Sequence, residues 1–288
     1  MHSSQKLKLE CALYVVATPI GNMRDISLRA LDVLSGADTI AAEDTRNSAH
    51  LLTHHGITAR RLLALHQHNE RGAADKVIHL LAQGQSVALI TDAGTPAVSD
   101  PGALVVEEVR AAGYRVIPIP GANAAVAALS AAGLAAPHFL FYGFLPNKPT
   151  ARCKELQSLI EHPYTLVFYE APHRIIECVA DLRTVFGDER QIVLAREVTK
   201  LFESIHSCRM DEAMDWLNSD PNNLRGEFVV LVSAAPARAG GISAEVEHVL
   251  SVLLKELPLK QAVQLAVQIT GVARNEMYQR ALSLKPSE

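Results

Sequence analysis

The stretch from Val87 to Gly102 most constrains the fold. An apolar run, Val87-Ala88-Leu89-Ile90, enters Thr91-Asp92-Ala93-Gly94-Thr95-Pro96-Ala97-Val98-Ser99-Asp100-Pro101-Gly102, and a helical apolar pattern leaves from Ala103. A buried strand thus delivers a tight polar loop to one edge of a sheet, where open α/β sheets bind their ligands. The loop spends two Gly, two Pro and two Asp on twelve residues. Glycine admits a ligand close to the backbone and proline limits wobble. Ser99 or Asp100 reads as the cap of the following helix, with Pro101 in its first turn. That cap leaves Asp92 to Pro96 unexplained, so the loop reads as a ligand site.

The same grammar recurs. Ala12–Ala17 is a strand stopped by Thr18-Pro19-Ile20-Gly21-Asn22, and Ser27–Ser35 is a helix. Thr39–Ala42 ends at Glu43-Asp44-Thr45-Arg46, and a helix follows around Ser48–His54. Leu62–Leu65 runs into His66-Gln67-His68-Asn69-Glu70, and Ala73–Gln83 is a helix. Arg115–Ile119 leads through Pro120-Gly121-Ala122-Asn123 into an alanine-rich helix. Strand–helix alternation of this kind means an α/β sheet. A boundary falls near Ala135–His138. Beyond it Phe139–Phe144, Thr165–Tyr169, Gln191–Arg196, Leu201–His206 and Gly226–Val232 read as strands. Ala151–Ile160, the segment up to Phe186, and Met210–Leu217 read as helices. This half reads as α+β with some antiparallel pairing. Pro236–Gly241 is a linker, and Ala244–Leu284 is largely helical. The division expected is a flexible tail (1–10), an α/β domain (11–136), an α+β domain (137–236) and a helical extension (242–288).

Several function classes are disfavoured. No Gly-x-Gly-x-x-Gly follows the first strand and there is no Gly-Lys-Ser/Thr loop, so the common dinucleotide and P-loop readings lack support. The formal charge is −4 and the pI about 6.3, without an overall basic footprint for nucleic acid. Any RNA partner would need a local basic patch. The four cysteines have no paired spacing for zinc or a disulfide framework. His66 and His68 would share a face of a strand, but spacing supplies no third ligand, so no metal is expected. Apolar residues make up 49% of the chain, without a signal-like start or a run of membrane-spanning length, so the expectation is a cytoplasmic protein with a sizeable core. Polar clusters end most strands in both halves, including Glu170-Ala171-Pro172-His173-Arg174, Arg196-Glu197-Val198-Thr199-Lys200 and Arg225-Gly226-Glu227. A cleft between two domains is the economical reading.

These clusters, in this order and spacing, resemble the 16S ribosomal RNA cytidine 2′-O-methyltransferases of the tetrapyrrole methylase superfamily. The resemblance spans residues 12 to 285, and the Asp92–Gly102 run is its most specific part. It implies two α/β domains with S-adenosylmethionine in the cleft between them, a C-terminal helical extension and a homodimer. It implies methylation of a cytidine ribose at the decoding centre of the small ribosomal subunit. Cofactor-binding residues by position are Pro19, Asp92, Ala93, Gly94, Thr95, Pro96, Asp100, Ser130 and Tyr169. Candidates for the chemistry are Glu43, Asp44, His66, Glu197 and Lys200, with the general base unassigned. Arg24, Arg46, His68, Asn69, His173, Arg174 and Arg196 are expected to face RNA, the arginines on phosphates. The sequence departs from the family at Pro120-Gly121-Ala122-Asn123, where Pro-Gly-Pro-Cys or Pro-Gly-Pro-Ser is common. The alternatives are a small-molecule methylase of the same superfamily, acting on a tetrapyrrole, and a non-enzymatic RNA-binding assembly factor.

Overall fold

The computed structural model describes residues 9–66, 69–134, 137–236 and 244–284. The expected tail up to residue 8, His68, most of the linker and the last four residues lie outside that set. The chain forms two compact units, divided between Ala235 and Pro236.

The first unit holds two five-stranded sheets. In the first, β1 (Leu13–Val16), β2 (Thr39–Ala42), β3 (Leu62–Ala64), β4 (Val87–Ile90) and β5 (Val116–Ile119) are all parallel, in the order β3-β2-β4-β1-β5. β2 and β4 are buried at every residue, as continuous apolar runs covered on both faces should be. Helix α1 (Leu28–Gly36) and Leu52 of α2 (Thr45–His54) pack on one face, with Tyr14, Ile40 and Ile90. Helices α3 (Glu70–Ala82) and α4 (Ala103–Ala111) pack on the other, with Leu13, Ala41 and Leu89. The neighbours β1 and β4 therefore send their chains to opposite faces. A crevice opens where two such strands diverge, and it is the customary ligand position in this architecture.

In the second sheet, β6 (Phe139–Phe144) pairs parallel with β7 (Thr165–Glu170). The pairs β7–β10 (Phe228–Val232), β10–β8 (Gln191–Arg196) and β8–β9 (Ser204–Arg209) are antiparallel. Helices α6 (Pro149–Leu159), α7 (Ile175–Phe186) and α8 (Ala213–Ser219) cover one face around Phe168, Leu182 and Leu217. The other face carries α5 (Ala124–Ala131), the helix that leaves the first sheet after β5. Ala125, Ala128 and Ala132 let it lie close to Val167, Val193 and Val229.

Some expected boundaries move. Leu201–Glu203 is turn rather than strand, and β9 runs from Ser204 to Arg209. The helix expected over Met210–Leu217 starts at Ala213. Neither Ser99 nor Asp100 caps α4. Gly102 stands at its cap position with no side-chain cap, and the Gly102 N–H donates to Glu70 Oε1 of α3 at 2.8 Å. The carboxylate of a neighbouring helix thus meets the positive end of the α4 dipole.

The second unit contains α9 (Ala244–Glu256), α10 (Leu259–Thr270) and α11 (Arg274–Leu284) around Leu250, Val263, Ala266, Met277 and Ala281. Gly271, left-handed at φ +70°, ends α10 and turns the chain into α11.

Candidate functional site

The loops leaving β1 and β4 are joined by backbone. Thr18 N–H donates to Gly94 O (2.8 Å), and Gly94 N–H returns a bond to Thr18 O (3.1 Å). The buried Thr18 hydroxyl donates to Thr91 O at 3.1 Å. Gly94 adopts φ +85°, a conformation costly for any side chain with a Cβ. Thr95 Oγ1 reaches Ala122 O at 3.2 Å and so ties in the loop after β5. Three loops at adjacent strand ends form a rigid cradle.

That cradle is one wall of a cavity of about 450 Å³, within the range of small-molecule sites. Ala93, Gly94, Thr95, Asp100 and Asn123 line it from the first sheet's loops. Phe144, Tyr169, His173, Lys200 and Glu227 line it from the second sheet. Tyr169 is fixed by accepting a hydrogen bond from Ala125 N–H at 3.2 Å, and burial raises its pKa.

Three acids gather at the cradle. Thr91 Oγ1 donates to Glu43 Oε2 at 2.6 Å. Asp92 accepts from Asp44 N–H (3.2 Å) and Asn47 Nδ2 (2.8 Å), and so fastens the β4 loop to the start of α2. Asp100 lies in the cavity beside them. Burial, then the charges of Glu43 and Asp92, push its pKa up to about 6. A cation entering the cavity would offset that penalty.

On the opposite wall, Lys200 Nζ donates to Glu197 Oε1 (2.8 Å) and Glu227 Oε2 (2.7 Å). Burial alone would lower the Lys200 pKa, but these two carboxylates outweigh it and hold the group as an ammonium. Burial likewise opposes the Glu197 carboxylate, yet Lys200 and the Glu227 N–H keep it below its ordinary pKa. Asp44, bonded to the side chain and backbone N–H of Arg46, is held down to about 2. Asp44, Glu197 and Lys200 are thus fixed in their charged forms, and both acids are weak proton acceptors.

Of the residues expected to bind cofactor, Ala93, Gly94, Thr95, Asp100 and Tyr169 line the cavity. Pro19 and Pro96 are buried under the loops, and Asp92 braces α2. Ser130 faces outward and donates to Ala127 O within its own helix. Of those expected to face RNA, His173 lines the cavity, while Arg24 and Arg46 are exposed. Asn69 is occupied locally, accepting from His66 N–H and donating to Ala64 O. His66 is exposed outside the cavity lining.

Two arginines turn inward. Arg174 meets Glu170 (3.1 Å), Leu145 O (2.8 Å) and Asn147 Oδ1, clamping the loop after β6. Arg196 reaches Ser204 Oγ and Arg225 O. Ser99, Asn123 and Glu227, which the sequence places in strand-end clusters without a binding role, also line the cavity, and Phe144 lines it with no sequence signal. Asn123 also caps α5 by accepting from Val126 N–H at 3.1 Å, which accounts for a polar residue at the family departure.

Residues 12–214 match the family described as Tetrapyrrole (Corrin/Porphyrin) Methylases. The chain belongs to the tetrapyrrole methylase family. As a family member it is a methyltransferase, and its residues 240–285 match the RsmI C-terminal HTH domain. It is 54% identical over 272 residues to the ribosomal RNA small subunit methyltransferase I of Pseudomonas aeruginosa, covering 94% of this chain and 96% of that protein. The Escherichia coli O157:H7 protein of the same name is 47% identical over 270 residues, with 94% of each chain covered. Among solved structures, the cobalt precorrin-4 methyltransferase CbiF superposes with a TM-score of 0.58 at 17% identity (77% of this chain, 95% of that one). A uroporphyrin-III C-methyltransferase of Thermus thermophilus, complexed with S-adenosylhomocysteine, gives 0.55 at 16% identity (77% and 97%). These likenesses establish a tetrapyrrole-methylase-like α/β fold with added C-terminal helices. No described helix is long and apolar enough to cross a membrane.

Proposed function

We propose that this protein transfers a methyl group from S-adenosylmethionine to the ribose 2′-hydroxyl of a cytidine in 16S ribosomal RNA, at the decoding centre of the small subunit, and acts as a homodimer. The observation that carries the reading is 54% identity, across nearly the whole chain, to a protein named for methylating small-subunit ribosomal RNA. The cytidine and the 2′-oxygen rest on the resemblance of the strand-end motifs to the cytidine 2′-O-methyltransferases.

The cavity's chemistry fits the cofactor. Asp100, destabilised as an anion by burial and then by its acidic neighbours, suits a ligand bearing a sulfonium and an ammonium. Ala93, Gly94 and Thr95 offer backbone at close range, and Tyr169 offers an aromatic wall. When bound, the cofactor supplies an activated methyl electrophile. In-line positioning then provides much of the rate, on the order of 7–11 kcal/mol in favourable cases.

The protein's own part is to orient the attacking oxygen. Lys200 spends two N–H groups on Glu197 and Glu227 and keeps a third for a substrate oxygen. His173 lines the same cavity and is the proton acceptor in this reading, since Asp44 and Glu197 are too acidic for the task. Arg24 and Arg46 are the exposed cations for phosphates.

The test is transfer of labelled methyl from S-adenosylmethionine to small subunits lacking the modification, with the product mapped by mass spectrometry. A 2′-O-methylcytidine in the decoding region supports the reading. Cofactor binding without transfer to subunits or extracted RNA rejects it, and transfer to a tetrapyrrole instead establishes the small-molecule alternative.

A further inference from the structure

Phe144 is a phenylalanine that the fold has gone out of its way to leave uncovered. It ends β6, which alternates Phe141 toward the α5 face and Tyr142 toward the α7 face. Regular alternation would send residue 143 to the α5 face and Phe144 to the opposite core. Instead the register with β7 shifts between Phe141 and Gly143, so that Phe141 opposes Val167, Gly143 opposes Phe168 and Phe144 opposes Tyr169. The extra residue, accommodated by Gly143 at φ +81°, turns Phe144 into the cavity. Bulges that re-aim a side chain are characteristic of functional sites.

The ring stays 54% exposed there. Its edge-on neighbour is Tyr169, with centroids 5.6 Å apart, and Tyr169 in turn meets Phe141 at 4.9 Å. The aromatic cluster holds the ring from one side and leaves a flat apolar surface for a ligand. His173, Lys200 and Glu227 share the same cavity wall, so a planar group on that surface would have polar side chains near its edge. A planar heteroaromatic with a hydrogen-bonding rim has that chemistry. β6 is an edge strand of its sheet, so a polymer too long to be enclosed can still reach Phe144.

We infer that Phe144 is the stacking platform for the nucleobase of the nucleotide being methylated, a substrate-positioning contact on the second-sheet wall of the cavity. The inference rests on the RNA reading above. The ring holds the base while the ribose is presented to Lys200 and His173, and the cradle on the other wall is left to the cofactor.

The experiment compares Phe144→Ala and Phe144→Trp with wild type, using small ribosomal subunits as substrate. Stacking of one base predicts that Phe144→Ala loses about 5- to 150-fold in kcat/KM, through KM for RNA. Its dissociation constant for S-adenosylmethionine, by calorimetry, stays within about twofold of wild type. Phe144→Trp keeps activity. In a Trp216→Phe background, which removes the chain's single native tryptophan, its emission is quenched by a cytidine-containing oligonucleotide in the presence of S-adenosylhomocysteine. Wild-type kinetics in Phe144→Ala overturn the inference. So does a parallel rise in the cofactor's dissociation constant, which assigns the ring to adenine instead. Failure of the wild-type protein to methylate any RNA is a separate result that removes the function reading itself.

Discussion

A methyl group placed on Gly143 would stand 2.6 Å from the Ser99 hydroxyl oxygen, although Gly143 belongs to the second sheet and Ser99 to a loop of the first. Both residues have positive φ, +81° and +63°. The β6 bulge and the β4 loop are therefore fitted to each other, and Asp100 is the next residue along. Gly143→Ala is expected to cost about 1–2 kcal/mol in urea unfolding and to weaken cofactor binding. Adding Ser99→Gly relieves both the contact and the second strained φ. A double-mutant cycle should then show positive recovery, whereas simple additivity would mean that the two sites do not communicate.

Asp100 gives a pH dependence with a definite sign. Its folded pKa, about 6, lies above the unfolded value near 3.8, so the folded protein binds more protons between those limits. Its contribution to stability is complete below about pH 4 and is lost as pH rises through 6. Asp100→Asn, without cofactor, should therefore be more stable than wild type at pH 8, by about 1 kcal/mol after allowing for partial exposure, and equal to it near pH 4. A bound sulfonium would draw the carboxyl's pKa back down. Calorimetry at pH 6 in buffers of different ionisation enthalpy should then show wild type releasing up to about half a proton on binding, and Asp100→Asn releasing none.

Arg46 and Arg174 look alike in sequence and should behave differently. The Arg46 side chain is 87% exposed and pairs with Asp44. Arg46→Ala is expected to raise KM for RNA and to lower the salt slope of binding by about one, with cofactor affinity unchanged. Arg174 balances Glu170, whose side chain is fully buried. Arg174→Ala should instead lower stability by about 2–4 kcal/mol, seen as a drop in Tm, with no change in salt slope. Equal salt slopes for the two variants would contradict this division.

Asn123 separates a structural from a chemical role at the family departure. If its task is the α5 cap, Asn123→Ser should melt within about 0.5 kcal/mol of wild type, and Asn123→Ala should lose about 1 kcal/mol. Cofactor affinity should follow the cap. Equal affinity loss in both variants would point to the amide itself.

The sequence made the first sheet legible because its strands are short apolar runs broken by polar loops. Thr39–Ala42 is read and found with the same ends, as are Phe139–Phe144 and Gln191–Arg196 of the second sheet. The Asp92–Pro96 loop was recognisable from its residue types, and Ala93, Gly94 and Thr95 do line the cavity. Direction was harder. Both arginines have a carboxylate close by in sequence, Glu170 for Arg174 and Asp44 for Arg46, and the further partners that hold Arg174 inward, Leu145 O and Asn147, lie far along the chain. The same holds for Arg152, fully buried on the same helix as the core residues Leu156 and Leu159 through a 2.7 Å bond to Asp181. The α4 cap was misplaced because its carboxylate comes from Glu70, 32 residues away. Phe144 was hidden by the bulge, since a one-residue shift reverses which face an alternating strand presents.

The bond from Gly102 to Glu70 also reaches beyond the helix it serves. In open parallel sheets the first helix turn beyond a binding loop is the usual seat for phosphate. Here the protein has filled that position with an anion of its own, and Glu43, Asp92 and Asp100 add negative charge around the same loop. The crevice has kept its place in the architecture and reversed its polarity. A diphosphate-bearing coenzyme would be repelled there, whereas the sulfonium nucleoside proposed as cofactor would meet opposite charge.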